Sequence, residues 1–112
     1  MIFMNERRIE PRLMCADMVE ISWGDSEGKR CRAMALLEDI APSGACLQLE
    51  APIPIGAVVK WTSPRQEFRG IIRHCVYREI GYFAGVEFTA SNKWSKSAYR
   101  PQHLFDPRRL AR

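Results

Sequence analysis

Residues 31–49 read CRAMALLEDIAPSGACLQL, and this stretch decides the fold. Its first half sets Cys31, Ala33, Ala35 and Leu37 at every second position. Its second half keeps the rhythm with Ala45, Leu47 and Leu49, set against Cys46, Gln48 and Glu50. A two-residue period belongs to a strand with one buried face, because successive side chains leave opposite sides of the pleat. Between the halves stands Pro42-Ser43-Gly44, a tight turn in which Gly44 is expected to supply backbone freedom, positive φ included, where the chain reverses. The stretch reads as strand, turn, strand.

The same pattern extends in both directions. Upstream, Leu13, Cys15, Val19, Ile21 and Trp23 alternate, with Asp17 the exception. Downstream, Val59 and Trp61 bracket Lys60; Phe68, Ile72 and Val76 share an even face, and Tyr82, Ala84, Val86 and Phe88 share another. Turn residues separate the runs: Gly24-Asp25-Ser26-Glu27-Gly28, Pro52-Ile53-Pro54-Ile55-Gly56, Ser63-Pro64-Arg65-Gln66 and Glu79-Ile80-Gly81. Six short strands at near-regular spacing predict an all-β antiparallel barrel or sandwich. Residues 1–12 form a short charged arm, 13–90 the strand domain and 91–112 a basic tail. Within the tail one short helix is expected over residues 92–100, with Ser91 as its N-cap. Pro101 and Pro107 interrupt anything longer.

Length and composition agree with one domain. The chain has 112 residues, 46% of them hydrophobic and 27% charged, too apolar for a disordered chain. No apolar run approaches the roughly 18–20 residues of a membrane span. The charges in residues 1–12 argue against a secretory leader, so the cytoplasm is the expected location. The net charge of +4 comes from the tail: Lys93, Lys96, Arg100, Arg108, Arg109 and Arg112 oppose Asp106 alone. The rest of the chain is close to neutral, and the tail is left for a partner or a membrane surface.

Catalysis is not expected. The sequence has no G-x-S-x-G elbow, no Walker-type phosphate loop and no G-x-G-x-x-G. His74 falls inside a strand and His103 in the tail. Cys15, Cys31, Cys46 and Cys75 form no C-x-x-C, so they read as reduced thiols in half-buried positions, with no metal site and no cofactor.

Two constellations carry chemistry. Arg7-Arg8-Ile9-Glu10-Pro11-Arg12 places three arginines on an arm held out of helix by Pro11. A guanidinium grips phosphate bidentately, binds the O6/N7 edge of guanine or stacks on a base. The bland alternative is a solvated basic arm. Glu38-Asp39-Ile40-Ala41-Pro42-Ser43-Gly44 places a carboxylate just before the tight turn. Asp39 is able to accept from the N–H edge of a guanine, or simply to cap the turn.

Together, an R-x-x-x-R arm, alternating strands and a D-x-[SA]-x-x-G turn resemble the PilZ domain, the bacterial receptor for cyclic di-GMP. Arg8 and Arg12 match the first motif, and Asp39, Ala41 and Gly44 the second. The resemblance continues through Leu47-Gln48-Leu49, Pro54-Ile55-Gly56 and Gly85-Val86-Glu87-Phe88, and covers residues 6–89. It implies a six-stranded antiparallel barrel with cyclic di-GMP against its surface and the arm folded over it. Arg8 and Arg12 would contact phosphate and guanine, Asp39 would read a guanine edge, and Gly44 would allow close approach. Arg7 immediately precedes the motif, which in the family goes with two intercalated ligand molecules. Ala41 stands where many members have serine, and the tail lacks their clear C-terminal helix.

The expectation is a cytoplasmic cyclic di-GMP receptor that signals to a downstream protein partner by ordering its arm. Two alternatives are a PilZ-like adaptor that binds no ligand, and a small barrel binding single-stranded nucleic acid through aromatics beside Arg69 and Arg73. The second is the weaker, because most aromatics fall on apolar faces.

Overall fold

The computed structural model describes residues 10–64, 66–89 and 93–110. Six strands form: β1 (Leu13–Gly24), β2 (Arg30–Ala41), β3 (Gly44–Leu49), β4 (Val58–Thr62), β5 (Glu67–Arg78) and β6 (Gly81–Phe88). They close into a barrel in the order β1-β2-β3-β6-β5-β4, with every neighbouring pair antiparallel. The expected all-β, six-stranded antiparallel barrel is the observed fold. No helix among the described residues is long and apolar enough to cross a membrane.

Alternation builds most of this. Ile21, Leu37, Leu47, Val59, Phe68 and Ile72 are fully buried, and each lies on the face its parity assigns. Phe68 is the hub: its ring stacks on Trp61 at 5.5 Å and meets Phe88 at 5.4 Å and Tyr99 at 5.5 Å.

Strict alternation fails at two bulges, and both failures shape the outer face. The β2–β3 register passes from Leu37↔Leu47 directly to Asp39↔Cys46, leaving Glu38 as an extra residue. Across β1–β2, Cys15 and Ala16 together face this same Glu38. The β5–β6 register passes from Ile72↔Val86 to His74↔Gly85, leaving Arg73 extra. An extra residue flips the phase of the strand beyond it. Ile40 rather than Asp39 therefore enters the core, and Cys75 rather than Val76 packs against it. Val76, expected on the buried even face, is 45% exposed.

The expected helix over residues 92–100 is not formed in the part that is described; Ser91 and Asn92 lie outside the described residues. Here the chain makes a single turn, in which the Ala98 and Tyr99 N–H groups both donate to the Ser95 carbonyl, at 3.0 and 3.2 Å. Side chains stop it going further. Trp94 is buried and its indole N–H donates to the Tyr99 carbonyl at 2.8 Å, while the Tyr99 hydroxyl donates to Asp17 at 2.6 Å. Pro101 then has no N–H to offer. A short helix with a costly nucleus loses to these anchors. The helical element that does form is a 3-10 turn, Pro107–Leu110, which opens with the Arg109 N–H donating to the Asp106 carbonyl at 3.0 Å.

Candidate functional site

Residues 10–12, the described end of the arm, lie against the β2–β3 turn. The Glu10 carboxylate accepts from the Ser43 hydroxyl at 2.6 Å and from its N–H at 3.2 Å. Two residues on, the Arg12 guanidinium donates to Asp39 Oδ1 at 2.7 Å. Ala41 lies between these two anchors and is buried, yet it belongs to no part of the central core.

Of the residues expected in a site, Arg12, Asp39, Ala41 and Gly44 come together here. Arg7 and Arg8 lie outside the described residues. Asp39 does not cap the turn; its carboxylate holds Arg12. Gly44 does not take the positive φ expected of the turn. Its φ is not among the positive ones, which belong to Gly28, Gly56 and Gly81. Instead, a Cβ on Gly44 would stand 2.5 Å from the Val86 carbonyl oxygen. Glycine lets β3 approach β6 at the Gly44↔Glu87 pair. Gly44→Ala is expected to lower stability by about 1–3 kcal/mol, since backbone has to move and no side chain can turn aside to relieve the clash. Urea unfolding measures it, and a change below about 0.5 kcal/mol would contradict the close approach.

The bulges extend the site across four strands. Cα partners run Asp39↔Cys46↔Gly85↔His74, a row on the outside of β2, β3, β6 and β5. At one end Glu38 and Asp39 are consecutive non-core residues; at the other, Arg73 and His74 are both exposed. Between them the His74 ring lies over Gly85, in the space where a side chain would stand. Arg73 donates to Glu87 at 2.6 Å, and the Arg78 guanidinium lies 5.9 Å from the centre of the Phe83 ring. Cationic forks at both ends, a carboxylate and the flat His74 ring suit a ligand with anionic groups and planar rings. Sequence reading missed Glu10, Ser43, Cys46, Gly85 and His74. The three-residue intervals Leu37–Ile40 and Ile72–Cys75, where strict alternation would give two or four, were the signal for the bulges.

Two thiols near this face are held neutral. Cys46 is pushed up to about 11, first by burial and then by the charges of Asp39 and Glu38. Cys15 reaches about 12, from burial and then Asp39. Burial and the bond to Asp17 also raise Tyr99. All three are acids whose neutral form the fold favours. Their contribution to stability is full below the unfolded-state values, near 9 for the thiols, and is lost as pH rises through the folded ones. The urea midpoint is expected to fall steadily above pH 9. At pH 8, Cys46 should alkylate roughly 100-fold more slowly than an unperturbed thiol, in proportion to its thiolate fraction, and Asp39→Asn should speed it. An unchanged rate in that variant would remove Asp39 as a cause.

Among the described residues, no group of three or more His, Cys, Asp or Glu side chains is placed to hold a metal ion. All four cysteines are free thiols. No family model and no curated protein matches the chain.

Proposed function

We propose that this protein is a cyclic di-GMP receptor of the PilZ kind. One observation carries the reading: residues 10–12 lie on the β2–β3 turn with the Arg12 guanidinium 2.7 Å from the Asp39 carboxylate, beside the close-approach glycine Gly44. Arginine forks meet the ligand's phosphates, the Asp39 carboxylate accepts from a guanine edge, and purines lie along the row between Asp39 and the His74 ring. Arg8 and Arg7, immediately upstream, close over the ligand, and Arg7 favours an intercalated pair.

Magnitudes favour opening the Arg12–Asp39 pair for such a ligand. The two side chains are 44% and 21% exposed, and an ion pair this solvated is worth about 0.2–1 kcal/mol. Each charge-assisted contact to the ligand is worth about 1.5–3 kcal/mol. Signalling then comes from redrawing the surface over residues 10–12 and 38–44, which a downstream protein partner reads. Isothermal calorimetry with cyclic di-GMP tests the proposal. Saturable binding is expected, and none at high micromolar ligand would refute it.

The pair itself favours a second reading. Arg12 and Asp39 satisfy one another, which suits an adaptor that binds no nucleotide. A folded protein with a spectrum unmoved by the ligand would select it. The nucleic-acid reading has less support: Trp61 and Trp94 are buried, so neither ring is free to stack on a base.

A further inference from the structure

Away from this site the barrel has an incomplete seam. In an antiparallel ladder each residue turns its N–H and C=O toward one neighbouring strand. The even residues of β1 turn theirs away from β2. Met14 exchanges both bonds with Phe105, at 2.8 and 2.9 Å, and the Ala16 N–H donates to the Gln102 carbonyl at 2.9 Å. Ser22 pairs with Lys60 of β4. Between these points lie Met18 and Glu20, and the β1–β4 ladder, made of Ser22↔Lys60 and Trp23↔Val59, stops short of them. On the opposite wall the Ser63 N–H turns toward Gln66, on the β5 side, so Thr62 faces β1. Continued register would pair Thr62 with Glu20, and that pair is not made. The gap is a cleft of about 650 Å³, lined by residues 17–20, 62–64 and 96–100.

We propose that this cleft accepts an extended acidic peptide from a protein partner, added as a strand along Met18–Glu20. Among the described residues, the Met18 and Glu20 backbone donors and acceptors are left over at strand spacing, and another extended backbone satisfies them in both senses. The tail already does this on the same edge, filling the positions at Met14 and Ala16. Charge sets the peptide's sign. The Asp17 carboxylate accepts from the Tyr99 hydroxyl and the Gln102 N–H, and Glu20 has Arg32 at 3.9 Å. Lys96 and Arg100, on the tail wall, have no carboxylate partner among the described residues. Met18, 56% exposed at the mouth, adds an adaptable apolar contact.

The test does not involve cyclic di-GMP and stands apart from that reading. Random heptapeptides displayed on phage are selected on the full chain, and the winners are synthesised with and without N-methyl groups at alternate residues. Acidic, β-branched winners are expected. N-methylation should weaken them at least roughly tenfold by removing strand donors, and K96E/R100E should weaken them roughly five- to tenfold. Amide exchange at Met18 and Glu20 should slow on binding, while that at Val19 and Ile21, which face β2, stays as it was. Three outcomes would overturn the proposal: winners indifferent to N-methylation, no winner at all, or a chain whose edge is already covered by a second copy in sedimentation.

Discussion

Phe68→Ala is expected to lower the unfolding free energy by about 3–5 kcal/mol, a large share of the roughly 5–15 kcal/mol of a typical domain. The residue is fully buried, and its ring touches Trp61 of β4, Phe88 of β6 and Tyr99 of the tail segment. Removing it leaves a cavity among three rigid aromatics that have no freedom to collapse into it. The comparison that gives the experiment its force lies along the same strand. Ile72→Ala should cost about 2–5 kcal/mol, because Ile72 is also fully buried. Val76→Ala should cost less than about 1 kcal/mol, because the Arg73 bulge has turned Val76 outward. Urea midpoints for the three variants measure the series. A Val76 cost equal to that of Ile72 would mean that β5 runs without its bulge.

Arg12→Ala and Asp39→Ala are each expected to weaken cyclic di-GMP binding roughly 10–150-fold, the equivalent of one charge-assisted contact of about 1.5–3 kcal/mol. Calorimetry on the two variants and on the double variant would measure it. The effects should fall short of additive. Arg12 and Asp39 are bonded to each other at 2.7 Å, so each single change also frees the other from its partner. Additive losses would mean that the ligand never meets the pair as a unit. Losses below threefold in both variants would remove these residues from the binding site while leaving the barrel as it is. Neither change should unfold the protein, since the pair is solvated and contributes about 0.2–1 kcal/mol.

Asp39 and Gly44 stand out only in combination with the arginine motif, and the structure brings their turn against residues 10–12. The bland alternative for Asp39, a turn cap, gives way to a bond with Arg12, and Gly44 clears Val86 rather than taking positive φ. Glu10 passed unnoticed because a carboxylate among arginines reads as a charge balance, and its bond to Ser43 joins residues 33 apart. His74 read as an ordinary strand histidine. Its place at the end of the Asp39 row depends on Gly85, which lies on another strand.

Local pattern in the sequence is enough for the number of strands, their order along the chain and, as far as the bulges, the face each presents. These are local properties, set by a two-residue period and by prolines and glycines at the turns. Tertiary structure decided where the period breaks. Glu38 and Arg73 are squeezed out because Ile40 and Cys75 must reach a core whose curvature strict alternation does not follow. It also decided that residues 93–105 become a strap instead of a helix, since Trp94 and Tyr99 gain more from the barrel's core than a short helix can return. Both outcomes turn on contacts between segments far apart in the chain, which no local pattern records.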